Sequence, residues 1–333
     1  MSAQLQTHAE IVKIAHLLDV DPKEIQYLAA CAPETLIELR EQLVEIFYGD
    51  ESTNLKRFAK VGNMLPSSVI ASLTKEAVGP VLAARIAGFV DPKQAAAVVA
   101  KLPTKFVVDI ATAIDPRRVG PVIGRLDPDT VERVSLELIK RREFVTMGQF
   151  VGFSSEEILR AAFNYSSDEA LLRTAFVAED KDRISAALKP QSDERIASII
   201  STAAKGDLWP EAMDLLSQLS DDQYMRVINI SGSLPAKGLD KMISATTASE
   251  CWPVMVPAFA QMNDPNPGTE ALIRGSADDI KAFANTIIDD DAWLDFEELY
   301  GKLTEANRSA LMTRLSRLKL ADAFEDHAVA IAA

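Results

Sequence analysis

Placed in columns twelve residues apart, the stretch from Ala83 to Leu138 allows one kind of structure. One column reads Ala83, Ala95, Val107, Val119, Val131 and the next Ile86, Val98, Ile110, Val122, Val134. The third is Ala87, Val99, Ala111, Ile123, Ser135, and the fourth Val90, Leu102, Ile114, Leu126, Leu138. Within each unit these positions are i, i+3, i+4 and i+7, the spacing that lines one face of an α-helix. Asp91-Pro92, Leu102-Pro103, Asp115-Pro116 and Asp127-Pro128 separate the units. An Asp side chain accepts a hydrogen bond from the free N–H groups of the first turn, and Pro suits the first helical position. The pattern predicts an array of helices, each about ten residues long, joined by tight turns.

The flanks extend this reading. Ile11, Ile14, Ala15 and Leu18 share a face, Asp21-Pro22 opens a short helix, and Pro33 opens a longer one. Its apolar stripe is Leu36, Leu39, Leu43, Ile46 and Phe47, ending near Gly49. A polar link, Asp50 to Asn54, then leads to a helix through Leu55, Phe58 and Val61. Residues 1–63 read as a helical cap, because an open array exposes its first apolar face.

Residues 64–205 read as the array. It begins at Leu65-Pro66, is loose in register at Ala71 and Val78, and is strict from Ala83. A segment from Phe144 to Phe153 ends at Gly152 and restarts at Ser154, with Glu157 in the capping-box position. The twelve-residue phase returns in Leu172, Ala175, Phe176, then Ile184, Ala187, Leu188, then Ile196, Ile199, Ile200. Residues 206–333 form a C-terminal helical region with longer helices. Examples of its i, i+3, i+4 sets are Tyr224, Val227, Ile228, then Leu239, Met242, Ile243, then Ile280, Phe283, Ala284. A sub-boundary is expected at the turn signal of residues 264–268, Asp-Pro-Asn-Pro-Gly. No period-two alternation suggests a strand. The expected fold is all-α, an α-solenoid of short helices paired as αα-hairpins, with helical caps at both ends.

Short helices opened by Asp-Pro or Leu-Pro and filled with Ala, Val, Leu and Ile resemble a known module. It is the cytoplasmic N-terminal helical domain of MgtE-type magnesium transporters, with the middle region of the flagellar motor switch protein FliG a more distant likeness. Leu65-Pro66, Asp91-Pro92, Leu102-Pro103, Asp115-Pro116, Asp127-Pro128 and the four columns carry the likeness. It implies a right-handed superhelix of short hairpins. The transporters continue into nucleotide-binding-like modules and a membrane pore, neither of which these 333 residues contain. Magnesium transport is therefore not implied, and no metal ligand is carried over.

Hydrophobic residues make up 48% of the 333, enough for a continuous core built from short helices. Aromatics are 6%, and the small side chains of the columns let helices approach closely. The net charge of −14 repels polyanions, so nucleic acid is not an expected partner. Lys140, Arg141 and Arg142, with Arg117, Arg118, Arg125 and Arg133, read as a solvated face paired with nearby acids. Two distant cysteines, Cys31 and Cys251, suit a reducing compartment without a disulfide framework. Neither a signal-peptide pattern nor an apolar run of membrane-spanning length is present, so a cytoplasmic protein is expected.

Motifs that carry chemistry are sparse, and no catalytic residue or cofactor is assigned. Asp289, Asp290, Asp291, Asp295, Glu297 and Glu298 are the densest acidic run. Leu294 stands where a calcium loop needs Gly, and Ala292 spoils a prenyl-transfer aspartate pair. The run is read as a helix start at Asp291, favoured by the helix dipole. Ser72-Leu73-Thr74-Lys75 matches Ser-x-x-Lys without its companion motifs. His8, His16 and His327 have no metal-ligand spacing.

The least ordinary stretch is Cys251 to Met262, where Pro253 and Pro257 interrupt an apolar helix. Trp252, Met255, Phe259 and Met262 follow helical spacing and are the candidate ligand-binding residues, set against a kinked core helix as the alternative. Trp209 and Trp293 read as core or interface anchors. Two functions are consistent with the residues. One is a non-enzymatic repeat protein that presents a curved face to a protein partner. The other is a binder, or a cofactor-free enzyme, for a hydrophobic small molecule held near Trp252–Met262.

Overall fold

A computed structural model describes residues 3–48, 55–57, 59, 60, 63–325 and 327. The expected link at Asp50–Asn54, the helix positions Phe58 and Val61, the end at Gly49 and the side chains of Ile46 and Phe47 lie outside the described residues. Among the described residues every regular element is helical and none is a strand. None of these helices is long and apolar enough to cross a membrane. Backbone contacts divide the chain into two compact units, Gln6–Leu188 and the residues from Lys189 onward together with those up to Leu5.

In the first unit, Ile11, Ile14 and Ala15 of the helix Ala3–Leu18 close on Ile25 and Leu36. Val20, Leu28, Cys31, Leu39 and Leu43 pack around them. Leu18, expected on the same face, is instead more than a third exposed at the helix end. Asp21 opens the Pro22–Ala30 helix by accepting the Lys23 N–H, and Pro33–Tyr48 follows. Charge is buried here as well. The Glu10 carboxylate accepts from Lys13 Nζ at 2.7 Å and from Arg40 Nε at 2.8 Å, and Arg40 also reaches Glu179 at 2.9 Å. Burial works to raise the Glu10 pKa, but Lys13 and Arg40 outweigh it and hold the carboxyl below its ordinary value.

Further along the first unit, helices or helical turns begin at Pro80, Pro92, Thr104, Pro116 and Pro128, twelve residues apart. Asp91 accepts from the N–H groups of Lys93 and Gln94, Asp115 from Arg117 and Asp127 from Thr130. Each thereby satisfies donors that a helix start leaves open. At the Leu-Pro steps the proline precedes the first helical residue. Pro103 is the cap itself, and its carbonyl accepts the Val107 N–H at 3.0 Å. The unit opened by Asp115 is not a ten-residue helix. It splits into the 3₁₀ turn Pro116–Arg118 and the single α-turn Gly120–Ile123, because Pro121 has no N–H to return to the Arg117 carbonyl. The loose register before Ala83 also has a cause. Ser67–Leu73 continues into the wide turn Thr74–Val78, and Gly79 at φ +76° swings the chain into Pro80–Ala87.

None of the twenty column positions is exposed. Ala95, Val119, Val122 and Ile123 pack with Val90, Leu126, Phe150 and Phe153 in one cluster, and Val98, Leu102 and Val107 pack with Ile110 and Val134 in another. One helix face thus feeds two clusters, because each helix packs on the next but one. Ser67–Leu73 meets Pro92–Val99, Pro80–Ala87 meets Thr104–Thr112, and Thr104–Thr112 meets Pro128–Arg141. The pattern continues where Phe144–Val151 meets Asp168–Val177 and Glu156–Tyr165 meets Lys181–Leu188. The cap after Gly152 is Ser155, one residue later than expected. Its hydroxyl accepts the Ile158 N–H, while the Ser154 hydroxyl turns back to the Phe150 carbonyl.

In the second unit, Asp193–Gly206 packs on Asp221–Ser231, and Ala236–Ala248 packs on Asn266–Arg274. Trp252–Gln261 packs on both Ala277–Asp289 and Trp293–Lys302, and Asn266–Arg274 packs on Glu305–Arg317. Basic side chains from later helices close the ends of earlier ones. Lys302 donates to the carbonyls of Ala260 and Met262, Arg308 to Tyr300 and Gly301, and Arg314 to Gly275. The acidic run does not open a helix at Asp291. Asp290 ends Ala277–Asp289, Asp291 takes a left-handed conformation at φ +54°, and the next helix begins at Trp293.

Candidate functional site

The Cys251–Met262 stretch forms one helix, Trp252–Gln261, preceded by a left-handed Glu250 at φ +54°. Pro253 lies in its first turn, where a missing N–H is harmless. Pro257 lies inside and has no N–H to return to the Pro253 carbonyl.

Trp252, Met255, Phe259 and Met262 are all buried, each at 2% exposure or less. Trp252 meets Phe259 and Phe283 edge-on, with ring centroids 6.3 and 5.4 Å apart. Its indole N–H donates to Thr247 Oγ1 at 3.0 Å, and that hydroxyl donates to the buried Asp279 at 2.6 Å. Asp279 in turn completes a capping box with Ser276. Phe259 lies against Gly268, where a Cβ would stand 3.1 Å from the ring, and Met262 lies against Gly232.

A cavity of about 280 Å³ adjoins this helix. Met255, Val254 and Pro253 form one wall, with Cys251 and Glu250 before them, and Met213, Leu216 and Ser217 form the other. The second wall belongs to Trp209–Leu216 and its cap. Of the four expected ligand-binding residues, Met255 lines the cavity, while Trp252, Phe259 and Met262 pack against the aromatic and glycine partners just described. Met213, Met255 and Cys251 are buried, and Pro253, Val254 and Glu250 are exposed. The wall's own donors point elsewhere, since the Cys251 thiol contacts the Ser249 carbonyl at 3.3 Å and the Ser217 hydroxyl donates to the Asp214 carbonyl at 2.7 Å. Burial pushes the Cys251 thiol pKa up. Tyr224, on Asp221–Ser231, donates its hydroxyl to the Val254 carbonyl, and burial pushes its pKa up too.

The remaining motifs resolve into local structure. Arg117 and Arg118 pair with Asp115, Arg141 with Asp109 and Glu137, and Arg142 with Glu169. Arg125 donates to the Pro121 carbonyl and Arg133 to the hydroxyls of Thr104 and Thr130. Ser72 and Lys75 are both exposed. His8 meets Phe176 edge-on, His16 contacts Thr146, and His327 lies flat on Trp293 at 4.2 Å while meeting Glu297 at 2.7 Å. Among the described residues no three His, Cys, Asp or Glu side chains converge as a metal site. Trp209 is buried, and Trp293 packs on Phe296 and Phe324.

Comparison with protein-family models, with curated proteins and with solved structures finds no match.

Proposed function

We propose that this chain is a non-enzymatic helical-repeat protein, a right-handed superhelix of short paired helices in the style of the MgtE N-terminal domain, that holds a protein partner. The next-but-one packing of helices begun twelve residues apart supports the repeat. The observation that carries the partner is a run of exposed apolar side chains in the first unit. Met64, Val69, Leu73, Val81 and Leu82 are all at least 40% exposed within nineteen residues. Val69 and Leu73 are one helical turn apart on the same helix, and adjacent exposed apolar side chains are a feature of interaction surfaces. The test is affinity capture from lysate with the wild type and with a Leu73→Asp, Val81→Asp double variant of matched thermal stability. A protein retained in stoichiometric amount by the wild type and lost by the variant is expected. Equal capture by both, or none by either, overturns the reading.

The cavity beside Met255 supports a second function, the binding of a hydrophobic small molecule between Trp209–Leu216 and Trp252–Gln261. Native mass spectrometry of the purified protein is expected to show a retained compound of low mass. A bare polypeptide mass, with no thermal shift across an apolar ligand panel, removes this reading.

A further inference from the structure

We infer that the cavity between Leu216 and Val254 selects a small amphiphilic cation, an apolar body of one ring or a short chain that carries an ammonium group. The inference rests on the small-molecule reading and adds the chemical class of the ligand.

Size sets the first limit. A cavity of about 150 Å³ lined by aliphatic and aromatic groups holds benzene. At about 280 Å³ this one admits a ring with a short tail, about nine to twelve non-hydrogen atoms. The buried part of its wall is Met213, Leu216, Met255 and Cys251, apolar but for the thiol, and methionines adapt to the shape of what they hold.

Polarity sets the second limit. No lysine, arginine or histidine lines the cavity. The two side-chain donors on the wall, Cys251 and Ser217, are directed at backbone carbonyls. What remains for a ligand is acceptors. Glu250 is exposed and lies on the cavity wall, where it brings a carboxylate. The Pro253 carbonyl lacks its ordinary helical donor because that donor would come from Pro257. A wall whose side chains offer a carboxylate and no free donor favours a ligand that donates, and most of all one that is positively charged. A carboxylate-bearing ligand meets Glu250 as a like charge. The net charge of −14 also draws cations toward the chain.

Cys251 supplies a readout inside the site, and Cys31, in the other unit, an internal control. The rate of iodoacetamide labelling at each cysteine is measured by mass spectrometry on the full chain, with three probes of similar size: 2-phenylethylamine, 2-phenylethanol and 3-phenylpropanoate. The amine is expected to slow labelling of Cys251 and leave Cys31 unchanged, at a concentration about tenfold below that needed for the alcohol, with the carboxylate weakest. Glu250→Gln is expected to bring the amine to the level of the alcohol. Val254→Trp, a change at the exposed rim that spares the core, is expected to abolish protection by all three. Equal protection by the three probes overturns the charge selectivity while leaving a small-molecule site in place. Protection by none of them overturns both, and where Cys251 is too slow to label, the absence of a melting-temperature shift with any of the three probes does the same.

Discussion

Protonation of His16 bears on folding. The residue is half-buried on the first helix, and its Nε2 lies 3.3 Å from the hydroxyl of Thr146, itself 1% exposed. Burial lowers its pKa from the ordinary 6.5, and the nearby carboxylates of Glu143 and Asp19 oppose this only in part. The unfolded chain therefore takes up the proton more readily than the folded one. The stability this creates is present above pH 6.5 and is lost as the pH falls toward the lowered folded value. Glu10, whose pKa is also lowered, adds a loss at more acidic pH, so a single curve mixes the two. The difference between wild type and His16→Gln separates them. The melting temperature of the wild type is expected to fall more steeply than that of the variant between about pH 6.5 and 5. Parallel curves over that window would show that His16 is not responsible.

At the scale of elements, helix beginnings are legible and helix ends much less so. Asp91, Asp115 and Asp127 announce the starts because a short carboxylate can accept the free N–H groups of the first turn, while the proline after it needs no donor there. Several ends turn on a residue in the left-handed conformation, for which glycine is the usual marker. Here the turns fall to Asp19, Arg142, Asp207, Glu250, Asp291 and Lys319, and in each case the next residue's N–H bonds back five positions to close the turn. Nothing in the side chain of Arg142 or Lys319 signals this, so the energetics of packing must override local preference. The same override explains why Asp291 ends a turn and does not begin a helix. The candidate site shows a related limit. Met255 could be named because helical spacing identifies a buried face, yet that spacing is shared by Trp252 and Phe259, which pack on Phe283 and Gly268. The opposite wall, Met213 and Leu216, lies some forty residues earlier and follows from which helices pack together, a property that no local pattern encodes. Glu250 gave no signal at all, because an exposed acid in a turn looks like any other.

For the molecule as a whole, short helices concentrate stability in contacts between elements. A ten-residue helix is marginal alone, and the helices here are held by neighbours one to three places away in sequence. Each unit also has its own core, with Val98, Val107 and Ile123 in the first and Trp252, Phe259 and Phe283 in the second. Damage should therefore register mainly in the unit that contains it. Gly148 allows Phe144–Val151 to lie against Asp168–Val177, and a Cβ there would stand 2.8 Å from Val177 Cγ2 and 3.0 Å from the Thr174 carbonyl oxygen. Because backbone is involved, the clash cannot be relieved by a rotamer change alone, and Gly148→Ala is expected to cost about 1–3 kcal/mol. Phe283 is fully buried against Trp252, and Phe283→Ala is expected to cost about 3–5 kcal/mol through lost burial and the cavity left behind. Amide hydrogen exchange followed along the chain distinguishes local from shared stability. The glycine variant should lose protection chiefly within residues 63–188, and the phenylalanine variant chiefly within residues 189–325. Loss spread evenly over the chain in either variant would mean that the two cores unfold as one, and that interactions beyond each unit's own contacts set the stability of the protein.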